Sequence, residues 1–428
     1  MTTQSAPFGS WKSPITSDLI AAGTTTLSQN QLDGEDIYWI EQRSAEGGRN
    51  VVVRRTPDGK IADVTLPPFN ARTRVHEYGG GAFAVDGNTI YFSNYDDQRL
   101  YRQDPDAPPR PITPAVDLRY ADGVIDHRRK RLICVREDHT VAGREAVNTL
   151  ASVKLDGDDA GGQVLVSGND FYSNPRLSPD GNRLAWLTWN HPNLPWDGTE
   201  LWVGELNADG AIGKAERVAG GLRESIFQPE WSPDGALYFA SDRTDWWNLY
   251  RWRNGAIEPL HEMAAEFGAP QWVFGLSTYA FESPTRIICA YNDGGWRLAT
   301  LDATTRQFDS IEIPFTHVSY VHAAPGRVVF IGGSATRPSS VVQLDLETRQ
   351  WDLLRHSTEI AIDPRYFSIP HAIEFPTDHG RTAYAFYYAP KHRDYAAPPD
   401  AKPPLLVVSH GGPTSAATTT LTLTIQYW

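Results

Sequence analysis

Residues 178–189 read SPDGNRLAWLTW and residues 232–243 read SPDGALYFASDR. Both begin with Ser-Pro-Asp-Gly and run straight into an apolar stretch. Pro presets φ at the second position of a turn and Gly closes a type I turn, so each tetrapeptide predicts a hairpin leading into a strand. The same strand–turn–strand unit extends on both sides. It occurs as DIYWIEQRSAEGGRNVVVRR from Asp36, TIYFSNYDDQRLYRQD from Thr89 and RLICVREDHTVAGREAVNTLASVKLDG from Arg131. It continues from Arg183, Ala236, Arg286 (RIICAYNDGGWRLATLDATTRQ) and Arg327 (RVVFIGGSATRPSSVVQLDLETRQW). Seven copies at a spacing of roughly 40 to 53 residues match one four-stranded blade each, so the expected architecture is an all-β, seven-bladed β-propeller over residues 31–360, after an N-terminal segment of residues 1–30.

The bulk properties fit that reading. Fourteen Trp, 18 Tyr, 35 Gly and 31 Pro in 428 residues favour strands and turns over long helices. The net charge is −13 and the acidic residues are dispersed, which argues against nucleic acid or an anionic membrane as partner. Cys134 and Cys289 each sit in an apolar run, so a reducing cytoplasm is the expected location and a disulfide framework is not expected. The first twenty residues lack a basic start and a continuous apolar core, and no apolar run approaches eighteen residues. Neither a signal peptide nor a membrane span is therefore expected.

After residue 360 the pattern changes. HAIEFPTDHGRTAYAFYYAPK, His371 to Lys391, reads as two alternating strands around an Asp-His-Gly turn, and HRDYAAPPDAKPP as an exposed loop. LLVVSHGG, from Leu405, reads as a strand buried on both faces, as in a parallel sheet. An apolar strand followed by His-Gly-Gly is also what the oxyanion loop of an α/β-hydrolase requires, because backbone N–H groups must approach the developing oxyanion without an intervening Cβ. Residues 361–428 are accordingly expected to be the first strands of an α/β-hydrolase domain, truncated before the nucleophile. The alternative for His410 to Pro413 is a plain turn leaving a strand.

HGGPTS with IQYW, EFPTDHGRTAYAFYYAP, RVHEYGGGAF (Arg74 to Phe83), NHPNLPWDGTELWV, QPEWSPDGALYFASDRTDWWNLYRW and PQWVFGLSTYAF, taken in order, resemble the prolyl oligopeptidase family of serine peptidases. The similarity is greatest to the dipeptidyl-aminopeptidase and acylaminoacyl-peptidase branch. The resemblance implies a propeller that gates access to a hydrolase cleaving short peptides with a Ser-Asp-His triad and no cofactor. It also implies that the backbone N–H of Gly412, with Gly411 beside it, is an oxyanion donor. By the same resemblance Glu77 and Arg136 become candidates to meet a substrate terminus in the central cavity. The ordinary alternative for each is a solvated or blade-bridging charge. A homo-oligomer is compatible with all of this.

The triad itself is absent from the sequence: no G-x-S-x-G occurs in it. Its nearest approximation, Gly332-Gly333-Ser334-Ala335-Thr336, falls between two strand patterns and is expected to be a hairpin loop rather than a nucleophile elbow. His410 is not expected to be the triad histidine, nor Ser409 or Ser415 the nucleophile. No metal site is expected, since there is no H-E-x-x-H and no C-x-x-C. YGGGAF lacks the Lys-Ser/Thr of a phosphate loop and is expected to pack tightly near the channel, and Trp246-Trp247 to fill the space between blades. The chain alone is thus expected to be inactive. A propeller that binds peptides or a protein partner without chemistry is the competing functional reading.

Overall fold

Each of the seven repeats predicted from the sequence forms the second and third strands of a four-stranded antiparallel sheet. The computed structural model describes residues 3–21, 24–359, 362–412 and 414–428. The sheets span residues 25–63, 83–111, 118–166, 171–220, 226–261, 279–311 and 317–356, here blades 1 to 7, and each is built from four consecutive strands. First strands touch the first strands of neighbouring blades around the ring, so they line the central channel.

The second strands explain why the repeats are so apolar. Each lies between two other sheets, so both of its faces are buried. In Asp36–Arg43, Tyr38 and Ile40 pack towards blade 2, whereas Ile37 and Trp39 pack towards blade 7. In blade 6, Ile287, Cys289 and Tyr291 face blade 5, and Ile288 and Ala290 face blade 7. The side-chain period of two thus serves two cores at once. Seven such clusters, one per blade interface, hold the ring together. Trp247 packs against the cluster between blades 5 and 6, while its neighbour Trp246 is 39% exposed.

Five first strands carry a bulge whose central residue is left-handed: Gln29 (φ 52°), Asp122 (56°), Asn174 (50°), Gln228 (48°) and Tyr320 (54°). This backbone costs roughly 1 kcal/mol or more for a non-glycine residue, and the bulge turns side chains across the seams. Gln29 Oε1 accepts from Ala82 N at 2.9 Å, Asp122 Oδ2 from Asn174 N at 2.7 Å, and Gln228 Oε1 from Thr278 N at 2.7 Å. Each bond ties one blade to the next beside the channel.

The remaining residues form a separate layer. The N-terminal residues belong with the C-terminal segment: Gln4–Ser5 pairs in parallel with Tyr395–Ala396, and Ile15 packs with Phe367, Leu421 and Leu423. His371–Pro376 and Thr382–Tyr387 pair as the predicted hairpin around Asp378–Gly380. Residues 405–410 do not form the predicted buried strand. They carry no ladder, and Leu405, Val407 and Val408 are 77%, 83% and 91% exposed. No described strand runs alongside to satisfy their backbone, so strand propensity alone does not make a strand there.

Candidate active-site face

The up-and-down connectivity sends the Ser-Pro-Asp-Gly hairpins to one face of the ring. The loops between second and third strands, and the connections between blades, lie on the other. The C-terminal segment lies on this second face. Leu421 N donates to Ser334 O at 2.8 Å, Thr316 Oγ1 and Thr419 Oγ1 are 2.9 Å apart, and the indole N–H of Trp272 donates to Thr414 O at 2.7 Å. Ser334 itself sits at the predicted hairpin, paired with Arg337.

Two blade connections meet over the channel here. Residues 64–82 link blades 1 and 2 and residues 262–278 link blades 5 and 6, from opposite sides of the ring. Phe274 N donates to Gly79 O at 2.9 Å, and Gly80 and Phe274 form a parallel bridge. A Cβ on Gly80 would lie 2.3 Å from Phe274 O, and one on Gly81 would lie 2.9 Å from the Asp122 backbone. YGGGAF is therefore glycine-rich for close backbone approach, as its sequence suggested. Beyond the crossing, Phe274 is buried among Val75, Ala121 and Tyr172, and Gln271 Nε2 donates to Asn174 Oδ1 at 2.8 Å. Residues 262–278 thus form a strap across the mouth of the channel.

Glu77 stands at this mouth with a left-handed backbone (φ 61°) and a side chain 68% exposed. Arg119 at 3.0 Å and Arg74 at 3.5 Å flank it, and the Arg119 hydrogen bond is the main reason its carboxyl lies below the usual range. Below it, buried Glu137 accepts from His76 N at 2.7 Å and lies 3.0 Å from His139 Nε2. Arg136 is placed elsewhere: it is buried between blades 2 and 3, where its Nη1 donates to the carbonyls of Gly161 (3.3 Å) and Gly162 (3.0 Å). Of the two charged candidates, only Glu77 is open to a ligand. Tyr120 and Cys134, which share that interface, were no guide to Arg136 in the sequence, because the strand period says which face a residue takes but not what lies opposite.

Gly411 and Gly412 are exposed, and Gly412 has φ 70°. A Cβ on Gly412 would only reach ordinary contact with the Trp272 ring, at 3.5 Å, so it is the left-handed backbone and not the space beside the indole that favours glycine there. Pro413 lies outside the described residues. Among the described residues two Ser–His contacts occur, Ser277 Oγ with His322 Nε2 at 3.4 Å and Ser340 Oγ with His356 Nδ1 at 2.9 Å. Ser277 already donates to Val321 O at 3.0 Å, and among the described residues neither histidine has a carboxylate on its other nitrogen. No group of three or more His, Cys, Asp or Glu suited to a metal is found among the described residues.

No family model matches the chain, and no curated protein matches it. Solved structures do. A puromycin hydrolase is 35% identical with a TM-score of 0.93, and the alignment covers 99% of this chain and 67% of that one. A puromycin-hydrolyzing peptidase of Mycobacterium tuberculosis is 36% identical with a TM-score of 0.94 over the same shares. The chain belongs to the prolyl oligopeptidase family of serine peptidases. Within that family it corresponds to the N-terminal propeller module of an oligopeptidase or aminopeptidase, and the strands after blade 7 belong to the hydrolase domain. A prolyl endopeptidase at 12% identity and a TM-score of 0.66 shares the fold. At the level of the family the ligand is a peptide, and no described helix is long and apolar enough to cross a membrane.

Proposed function

We propose that this chain forms the gate and part of the active-site wall of a serine peptidase acting on short peptides and aminoacyl amides. The carrying observation is that the strap and the loop that contains Gly411 and Gly412 lie on the same face and are joined by the hydrogen bond from the Trp272 indole to Thr414 O. A strap crossing the channel mouth favours entry of substrate from the side of the ring, between the propeller and the hydrolase, and keeps folded proteins out by size.

In this reading the backbone N–H groups of Gly412 and Gly411 face the developing oxyanion, where preorganised donors act on charge that appears only in the transition state. Glu77 offers a carboxylate to a free substrate amine. The propeller is placed at about residues 31–360, with its first strand reaching back to Thr25, and the start of the hydrolase at 361–428. The chemistry requires no cofactor. The cytoplasm, where two reduced cysteines persist, is the proposed location, with neither nucleic acid nor membrane as partner and with self-association as an open option. Both close relatives act on puromycin, an amide of an aromatic amino acid, and that compound is the first substrate to try.

The test compares the 428-residue chain alone with the same chain joined to the hydrolase part that puromycin hydrolase carries beyond the alignment. Puromycin and aminoacyl p-nitroanilides should survive the first and be cleaved by the second. Cleavage by the chain alone, blocked by a serine-directed phosphonate, would overturn the division of roles. A folded but inactive joined protein would overturn the peptidase reading and favour a propeller that only binds peptides.

A further inference from the structure

Three aromatic side chains converge beside the Gly411–Gly412 loop, each from a different part of the ring. Tyr78 comes from the connection between blades 1 and 2, Trp196 from the loop between the second and third strands of blade 4, and Trp272 from the strap. The rings of Tyr78 and Trp272 are 5.4 Å apart at 68°, and those of Trp196 and Trp272 are 4.4 Å apart at 44°. None of the three belongs to an inter-blade cluster, so the propeller core does not account for them.

Their arrangement is fixed yet open. The hydrogen bond from the Trp272 indole to Thr414 O and the ring pairs with Tyr78 and Trp196 hold the central ring in place. Tyr78 is 64% exposed, so its ring pairs edge-to-face with Trp272 and still presents surface to a ligand. Tilted rings leave π faces and edges to which a third flat group can add in the offset or edge-to-face geometry that aromatics prefer. The neighbouring Glu77 carboxylate suits a positively charged amine attached to that group, and rings of this kind also attract cations.

We propose that Tyr78, Trp196 and Trp272 form a subsite for an aromatic side chain on an aminoacyl or peptidyl amide. The proposal rests on the peptidase reading for its placement next to the scissile bond, but its test needs no hydrolysis. Phenylalaninamide and alaninamide are each titrated into the 428-residue chain, and binding is followed by saturation-transfer NMR on the ligand protons. Phenylalaninamide should bind, with its ring protons saturated most, and alaninamide should bind markedly less. Tyr78→Ala and Trp196→Ala should each weaken phenylalaninamide by roughly 2- to 10-fold, the range one aromatic pair contributes, and Trp196→Phe should restore much of the loss. Wild-type melting temperatures for the variants would show that the fold is intact.

Absence of phenylalaninamide binding, equal binding of alaninamide, or unchanged affinity in both folded alanine variants would overturn the subsite. Binding as expected, with no cleavage by the joined protein, would leave the subsite standing and remove the peptidase reading. Cleavage with no aromatic preference would do the reverse.

Discussion

Arg355, in the outermost strand of blade 7, donates to both carboxylate oxygens of Glu41 in blade 1, at 2.7 and 3.2 Å, across 314 residues of sequence. Blades 1 and 7 are each built from consecutive strands, so no shared sheet closes the ring. Closure rests instead on the cluster around Trp39 and Val329, on Asn30 Nδ2 donating to Val329 O, and on this ion pair. Glu41 is fully buried and also accepts from Arg43 and from the Trp39 indole, whereas the Arg355 side chain is 39% exposed.

The two partners should therefore respond unequally to truncation. Glu41→Ala leaves the buried Trp39 indole without its acceptor and removes the carboxylate from Arg355, while Arg43 keeps Asp63 and Glu46, and should cost about 2–3 kcal/mol of stability in urea unfolding. Arg355→Ala leaves Glu41 two donors and should cost about 1 kcal/mol or less. Equal losses would show that the closure does not work through Glu41.

Gly80 provides a test of the strap. Gly80→Ala drives a Cβ into the Phe274 backbone at a φ of 88°, and should loosen residues 262–278 and lower stability by more than about 1 kcal/mol. Gly87→Ala, at φ 52° with open space around it, pays only the backbone cost. Limited proteolysis should cut within the strap in the first variant and not in the second.

Stability should fall as the pH drops from about 6.5 towards 4. Burial is the main cause that lowers His76 and His322 to about 4, with the Arg176 charge adding to the effect at His322. Unfolded chains take up these protons first, so the neutral form favoured by the fold is fully stabilising above pH 6.5 and loses its advantage through that window. The slope is at most about 1.4 kcal/mol per pH unit for each histidine. Asp63, held low by its hydrogen bond to Arg43, acts at more acidic pH. His76→Phe should flatten the pH dependence of the melting temperature between 6.5 and 4.5, and an unchanged slope would remove His76 from it.

Exchange of backbone amides should separate the two layers. Amides of Asp36–Arg43 lie in a strand paired on both sides and should be protected for hours. Those of residues 405–410, exposed and without a ladder, should exchange within seconds. A chain of residues 24–359 should melt cooperatively by itself. Equal protection of both regions would contradict this separation.

Much of the candidate site was present in the sequence only as composition. YGGGAF announced close packing, yet its partner, Phe274, lies some 190 residues away, and only the folded ring brings the two together. Glu77 and Arg136 looked alike as charges near strand ends. The blade 2–3 interface took one and the channel mouth left the other open, a difference set by neighbouring sheets. Trp196 and Trp272 stood in the conspicuous stretches NHPNLPWDGTELWV and PQWVFGLSTYAF and Tyr78 at the head of YGGGAF, but no local pattern marks three rings from three connections as one surface.

By itself the sequence determined the seven hairpin pairs, because turn chemistry and the apolar period of two act over a few residues. It also placed Ser334 in a hairpin and Gly411–Gly412 after a strand-like run. The tertiary structure alone decided which blades abut, where Glu41 finds Arg355, how the strap crosses the channel, and that residues 405–410 remain unpaired. Those outcomes depend on contacts between distant segments, which a backbone hydrogen-bonding requirement or a buried charge imposes only once the neighbours are in place.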